Sequence, residues 1–501
     1  MKDNDIFKDV QFDFFGDEDI IGNPEPYFTL IIGPNGTGKS YVLRCIIDIF
    51  RIAYEKKNNF DVKSYINGKF HLEYYLDDAN YVITNRMGWE NGEEKPESII
   101  DEAGVKGIRF LKNGSEEISL ENFKIPAAIT ALSIMLTDKF LVLKENSDFS
   151  IYNYLGVRRD ANTAGTRSLL TRTIDYIFKS ADKEHFISDV KELLHFLNLE
   201  EELYVHYSPR YKHIFFRGGL TLETFEDFFQ DYKSYLKRET EPWSIGIFRS
   251  IKKATPEIIP ELVESLNFLA SILTTYSGTR SKYFEFNLLE NNDNINRLLK
   301  VLPYLHRLDL ISYPGIVVKK GGYYDIEESS SGEYHFLSSV IGLLATIKDN
   351  TLVLVDEPEI SLHPNWQMKY IDFLNKVFRR YNSAHFIICT HSHFLVSDIK
   401  PENSKVISVQ KKDKIVAETV DYNTYGWSAE NVLLKVFNVA TTRNYYIAER
   451  LAQIFKIASS SVSPDLTMYK DELIGWYNQL SNDDPLHYTI EKLLNRFEWL
   501  N

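Results

Sequence analysis

Gly33-Pro34-Asn35-Gly36-Thr37-Gly38-Lys39-Ser40 is the stretch on which the reading of this 501-residue chain turns. The strand-like run YFTLII, ending at Ile32, leads into it, and YVLRCIIDIF, an apolar segment of helix length, follows from Tyr41. Both the motif G-x-x-x-x-G-K-[S/T] and its required strand-to-helix context are therefore complete. Glycines let backbone N–H groups close around phosphate oxygens, and the start of the helix adds its positive end. All eight residues are candidates for holding a nucleoside phosphate. Lys39 is expected to reach the β and γ phosphates and Ser40 to ligate Mg2+.

A second half-site lies more than 300 residues on. Leu352-Val353-Leu354-Val355-Asp356-Glu357 is an apolar run that ends in two acids. A strand buried on both faces reads as an unbroken apolar run, so the acids fall at its exposed carboxyl end. Ligands of open α/β sheets bind there. Asp356 is expected to hold Mg2+ through water and Glu357 to polarise the water that attacks the γ phosphate. Upstream, Ser329-Ser330-Ser331-Gly332-Glu333 puts hydroxyls and a glycine at a helix start, which makes a second phosphate cradle. Downstream, HFIICTHS is a further buried strand ending at Thr390-His391-Ser392.

Ser330 and Gly332 match the signature of ABC-type ATPases, usually Leu-Ser-Gly-Gly-Gln, while Ser329, Ser331 and Glu333 depart from it. Asp356-Glu357-Pro358-Glu359-Ile360-Ser361-Leu362-His363-Pro364 is very similar to the DEPExxLHP stretch of the OLD, RecF and SMC-like branch of those enzymes. The resemblance covers about 1–160 and 320–420 and implies an ABC-type P-loop NTPase head of α/β class, split by an insertion. It places Pro358–Pro364 as the D-loop facing an opposing lobe, makes His391 a γ-phosphate sensor, and completes ATP between the phosphate loop of one chain and Ser330-Ser331-Gly332 of another. A homodimer or higher oligomer follows from that sandwich. The Gln of the usual Q-loop is absent, since no Gln occurs between Gln11 and Gln230. Ala131–Phe140 stands where that loop belongs, with Asp138 or Ser133 as its metal-side residue.

Within the branch, the chain looks like the ATPase subunits of prokaryotic antiphage systems of the Septu type (the PtuA family), retron-associated forms included. Tyr154–Arg159 and the tail stretch Tyr425–Leu433 carry this finer likeness. It implies an ATP-hydrolysing regulatory subunit that controls a partner nuclease of HNH type. The alternative is a DNA-repair or DNA-clamping ATPase of RecF or SMC-like kind. Against long coiled-coil arms, the insertion runs for only about 140 residues and sustains no heptads.

The boundaries expected are 1–165 for the first part of the head, 166–310 for a helical insertion, 311–420 for the second part and 421–501 for a helical extension. No nuclease centre is expected in the tail. It has Asp483-Asp484 but no Asp-x-Asp on an apolar strand, no ββα unit with paired His, and an Arg443, Glu449, His487 set whose spacing does not fit one helical face.

Composition narrows the classes further. A hydrophobic content of 44 % with 26 % charged residues excludes a disordered or fibrous chain. The net charge of −14 argues against a protein that coats nucleic acid over its whole surface. Nine Lys or Arg against six acids between His206 and Lys253, interleaved with Tyr207, Tyr211, Phe215, Phe216 and Trp243, mark 206–253 as a candidate DNA or RNA contact. Arg158, Arg159, Arg167 and Arg172 form a second basic cluster near the nucleotide face. Only Cys45 and Cys389 occur, both in apolar runs, which removes a disulfide scaffold or Cys-based zinc site. No apolar stretch reaches about 18 residues and MKDNDIFKDV is too acidic for a signal peptide, so a cytoplasmic protein with no membrane partner is expected.

Overall fold

Burial along Tyr27–Ile32, strand β1, is continuous from Phe28 to Ile32, the pattern of an inner strand covered on both faces. It passes through the glycine-rich turn into α1 (Lys39–Lys57). The chain then makes an antiparallel meander of β2 (His71–Leu76), β3 (Ala79–Thr84), β4 (Arg109–Lys112) and β5 (Ser115–Glu116). It returns as β6 (Ala128–Ser133) and β7 (Tyr152–Gly156), followed by α2 (Thr166–Ser180). After the insertion come α3 (Ser331–Thr346), β8 (Thr351–Asp356), α4 (Tyr370–Phe378), β9 (His385–Thr390), β10 (Ser404–Lys411) and β11 (Ile415–Thr419).

This is a computed structural model that describes residues 6–7, 9–16, 25–61, 66, 68–85, 89–90, 93–94, 107–116, 120–143, 148–158, 166–180, 185–236, 240–275, 282–290, 293–312, 314–319, 321–326, 330–411, 413–420, 423–437, 449–451, 453–454, 457, 467–481 and 485–496. It divides into two units, Met1–Trp427 and Ser428–Asn501.

Seven strands of the first unit form one sheet in the order β11-β10-β1-β9-β8-β6-β7. Every neighbouring pair is parallel except the hairpin β10/β11 at one edge. The architecture is an α/β P-loop NTPase fold. Register aligns the carboxyl ends: Ile32 pairs with Thr390, Asp356 with both Cys389 and Ser133. Because parallel strands all end on the same side, the loops after β1, β8, β9 and β6 meet at one edge of the sheet.

Helix α1 covers one face, where Leu43, Ile46, Ile47 and Phe50 share a core with Ile31, Leu354, Ile387 and Cys389. Each such side chain contributes about 1.5–3 kcal/mol when fully buried. On α3, which packs against α2, β6 and β7, the run from Phe336 to Ile347 is almost wholly buried. This explains why its sequence is apolar all round rather than amphipathic.

The segment 166–310 was expected to be helical and is only partly so. It contains strands Leu203–Tyr207, Thr274–Thr275 and Lys282–Asn287, which join Gly315–Lys319 and Tyr323–Asp325 in a five-stranded antiparallel sheet. Val205 pairs with Ile316, so the sheet also reaches past residue 310. The strands are short and flanked by long helical segments, and their partners lie far away in sequence. Local periodicity registers the helices and not the pairing. The second unit has helices Ala429–Lys435, Lys470–Gln479 and Pro485–Arg496, and a core of Leu451, Ile454, Leu473, Leu486, Ile490 and Leu494.

One buried ion pair ties the end of β6 to the end of β7. The Asp138 carboxylate, sealed from solvent, accepts from Arg158 Nη2 at 2.7 Å and Nε at 3.1 Å, from Tyr154 Oη at 2.6 Å and from the Phe140 amide at 2.9 Å. Arg172 packs over the Tyr154 ring, 4.8 Å from its centroid, and donates to the Gly156 carbonyl at 2.6 Å. Arg158→Ala leaves Asp138 buried without its counter-charge, at an expected cost of about 3–5 kcal/mol. A lowered urea midpoint checks this, and Asp138→Ala added to Arg158→Ala should recover part of the loss. A double variant no better than the single one would show that the pair is not coupled.

Candidate functional site

The phosphate loop is shaped by close approaches. At Gly33 a Cβ would stand 2.1 Å from the Val409 carbonyl oxygen on the neighbouring strand β10. Gly38 caps α1 in the left-handed region at φ +86°, with its missing side chain facing Phe7. Only glycine meets both demands, at the strand end and at the helix start. Lys39 is buried and turns back along the loop, donating to the carbonyls of Gly33 at 2.8 Å and Pro34 at 3.1 Å. Burial lowers its pKa, against the opposing pull of neighbouring acidic groups, Asp356, Glu357 and Glu359 among them.

Ser40 Oγ donates to Asp356 Oδ1 at 2.9 Å. This bond joins the two residues expected to hold Mg2+. A hydroxyl and a carboxylate oxygen side by side are the hard donors that this ion takes, and it characteristically keeps waters in its remaining positions. Burial pushes the Asp356 carboxyl up to about 7, reinforced by the charges of Glu357 and Asp138 and opposed by the Ser40 hydrogen bond and Lys39. A cation between Ser40 and Asp356 would favour the ionised form. The residues present fit the ion.

Glu357 follows with φ +50°, an uncommon conformation for a non-glycine residue, and its amide donates to the Cys389 carbonyl at 2.9 Å. The chain turns sharply there and swings the carboxylate to within 3.5 Å of His391 Nε2. Burial, with the nearby Lys39 charge, lowers the His391 pKa to about 4. The ring is therefore neutral near pH 7, and its contact with Glu357 is not an ion pair.

Loops after β8 and β9 are laced together. Glu359 Oε1 accepts from the His391 amide at 2.5 Å. Ser392 Oγ donates to Gln367 Oε1 at 2.7 Å, and Gln367 Nε2 donates to the Leu362 carbonyl at 2.9 Å. Ser330 is the N-cap of α3, with a reciprocal capping box to Glu333. A Cβ on Gly332 would meet the Ser361 carbonyl oxygen at 2.3 Å, so the head of α3 rests on the loop after β8.

The structure thus gathers Lys39, Ser40, Asp356, Glu357 and His391 in one cluster. Ser330 and Gly332 stand at the head of α3, beside Ser361 and Leu362. The Ser331 side chain and Ser329 lie outside the described residues. Of the two Q-loop substitutes, Asp138 is already taken by Arg158 and Tyr154, while Ser133 sits in register with Asp356. Beyond the place of Glu359 in the Pro358–Pro364 loop, no individual role for Glu359, Gln367 or Ser392 is expected from the sequence. The DEPE stretch held a signal for Glu359, but no local pattern marks the other two.

Basic clusters fare differently. Arg158 and Arg172 turn inward to Asp138 and Gly156 and do not present a phosphate-binding surface. Arg159 and the Arg167 side chain lie outside the described residues. In 206–253, Tyr207, Phe215 and Phe216 are core residues and do not serve as a stacking platform. Trp243 alone of the named aromatics is largely exposed, at 61 %. Arg210, Arg249 and Lys252 pair with Asp309, Glu241 and Glu226. In the tail, His487 is buried with its ring stacked 4.3 Å from that of Tyr477, Glu449 is exposed, and Arg443, Asp483 and Asp484 lie outside the described residues. Among the described residues no helix is long and apolar enough to cross a membrane.

Comparison with known proteins gives a family match and two named relatives. A family model described as AAA ATPase domain matches residues 7–396. The retron Vc95 probable ATPase of Vibrio cholerae serotype O1 biovar El Tor is 25 % identical over 435 residues, covering 81 % of this chain and 73 % of that protein. The Septu protein PtuA of Bacillus thuringiensis is 26 % identical over 108 residues, covering 21 % of this chain and 26 % of that protein. Among solved structures, the SMC head domain from Thermotoga maritima aligns at a TM-score of 0.33 and 11 % identity, over 84 % of this chain and 97 % of that one. The Smc head of Pyrococcus furiosus bound to the C-terminal domain of ScpA aligns at 0.27 and 13 %, over 78 % and 90 %.

The raised Asp356 carboxyl makes a signed prediction. An unfolded Asp titrates near about 4, so between about pH 4 and 7 the folded chain holds a proton that the unfolded chain has released. This group therefore takes stability away as pH rises through that window, and the loss is complete above it. Asp356→Asn should raise the thermal midpoint in metal-free, nucleotide-free buffer at about pH 8, with the gain closing towards about pH 4.5. A gain of equal size at both pH values would contradict the shift.

Proposed function

We propose, on the premise that this chain belongs to the AAA ATPase domain family, that it is an Mg2+-dependent ATPase, the regulatory subunit of a prokaryotic antiphage defence complex that controls a partner nuclease. One observation carries the enzymatic part: Lys39, Ser40, Asp356, Glu357 and His391 converge at the carboxyl ends of three adjacent parallel strands. The defence setting is supported by two relatives, one named as a retron probable ATPase and the other as a Septu protein.

In the chemistry proposed, Lys39 exchanges its carbonyl partners Gly33 and Pro34 for β and γ phosphate oxygens. Burial keeps water from its ammonium, which strengthens the attraction to the phosphates, and their charge in turn favours its protonated form. Amides of Gly33–Ser40 at the head of α1 hold the remaining phosphate oxygens. Ser40 and Asp356 would hold Mg2+, which when bound neutralises charge on the phosphate oxygens. Glu357 accepts a proton from the attacking water and orients it, as a general base does. Neutral His391, beside Glu357, donates towards the γ phosphate.

The signature residues Ser330, Ser331 and Gly332 complete the ATP of an opposing chain, which makes the active form a homodimer or a higher assembly of such pairs. Hydrolysis or nucleotide release then frees or activates the bound nuclease, proposed to be of HNH type. Nucleic acid contact through 206–253 falls to Trp243 and Lys253, with Arg249 and Lys252 exchanging their Glu241 and Glu226 partners for phosphate, beside a cleft of about 460 Å3. The chain's own activity is confined to ATP, and its locale is the cytoplasm.

Three experiments test this. Lys39→Ala should abolish ATP turnover, while Glu357→Gln should bind ATP and accumulate as a dimer in Mg2+-ATP, read by mass in solution. A monomeric Glu357→Gln chain at saturating ATP counts against the shared site. Lys39→Ala mixed with Ser330→Arg should regain activity that neither has alone, because a mixed dimer carries one site with both lesions and one with none. If subunits exchange and nothing returns, the sites are not shared in this way.

A further inference from the structure

Glu359 carries chemistry that the reaction above leaves unused. Its carboxylate is held by the main chain of the next loop: Oε1 accepts from the His391 amide at 2.5 Å. Oε2 is buried with no hydrogen-bond partner. Burial, which raises the Glu359 pKa, opposes the ionised form. The Thr390 hydroxyl accepts from the Ser392 amide at 2.9 Å, so the turn is also tied within itself. One side chain from the loop after β8 thus grips the His391 amide at the end of β9.

Two neighbours give that fastening a direction. On one side, the His391 ring lies 3.5 Å from Glu357, so the main chain that Glu359 grips is the one that aims the ring. On the other, two residues further along, Ser361 stands at φ +68° with its carbonyl against Gly332, the first turn of α3. Glu357 and Ser361 are both in the left-handed region, which puts an uncommon backbone conformation at each end of the segment. The segment is short, turned at both ends, and clamped between the head of α3 and the His391 turn.

We infer that Glu359 is a positioning residue for hydrolysis: its carboxylate sets the distance between His391 and Glu357 and makes that distance follow the head of α3. The inference rests on the ATPase reading above. A shift of Ser330–Gly332 on engaging an opposing nucleotide moves Ser361, then Glu359, then the His391 amide. Hydrolysis is thereby tied to closure, with no contact between Glu359 and the phosphates.

The test is ATP turnover and nucleotide affinity of the full chain with Glu359→Ala and Glu359→Gln. Gln keeps a carbonyl oxygen at the Oε1 position and should retain most turnover. Ala removes the grip, and displacement of a reacting group by about 1 Å costs about 100-fold in kcat. The KM for ATP should stay within about threefold, because phosphate binding is untouched. Where Glu359→Ala does not fold by circular dichroism, Glu359→Asp carries the test, since its shorter arm cannot reach the His391 amide and the same loss is expected. Turnover of the Ala or Asp variant equal to the parent overturns the inference alone. So does a loss shared equally by Gln, or one expressed in KM rather than kcat. A parent chain with no turnover that Lys39→Ala removes overturns the ATPase reading, and the inference with it.

Discussion

A single hydrogen bond, from Ser40 Oγ to Asp356 Oδ1 at 2.9 Å, spans 316 positions of chain. It forms because the sheet places the carboxyl ends of β1, β9 and β8 side by side, with Ile32 against Thr390 and Asp356 against Cys389. Parallel pairing leaves no freedom in this. If β8 slipped by one residue against β9, its buried side chains would exchange faces and Asp356 would leave Ser40. The register of β8 against β9 and β6, with Asp356 opposite Cys389 and Ser133, is therefore what sets the site geometry.

The insertion between β7 and α3 interrupts the sequence of this site without disturbing it. It begins with α2, whose main packing partner is α3, and it ends where α3 begins. Both ends of the insertion are thus anchored on the helix that carries Ser330 and Gly332. Its own sheet and a cluster of rings packed on one another, Phe215, Phe225, Phe228 and Phe229 among them, fill its interior.

The electrostatics of the site store an imbalance. Lys39, Asp356 and Glu359 are each displaced by burial towards the neutral form, and His391 is held neutral. Phosphates beside Lys39 and a divalent cation beside Asp356 would favour the charged forms of these two groups. This is the pattern of a site whose residues are arranged for a ligand and not for the stability of the chain.

The sequence by itself determined the chemical parts: the phosphate loop, the acidic strand end, the His after the next buried strand, and the α/β alternation around them. These were legible because each depends on local chemistry, a glycine turn or an apolar run that terminates in an acid. The tertiary structure alone decided which parts touch. It buried the aromatics of 206–253, closed the insertion's strands with partners beyond residue 310, and turned Arg158 onto Asp138. It also joined Glu359 to His391 across 32 positions. None of these has a local signature, because the partner of a buried polar group is set by the register and packing of distant segments, and a burial cost is met by whichever group the fold brings within hydrogen-bond reach.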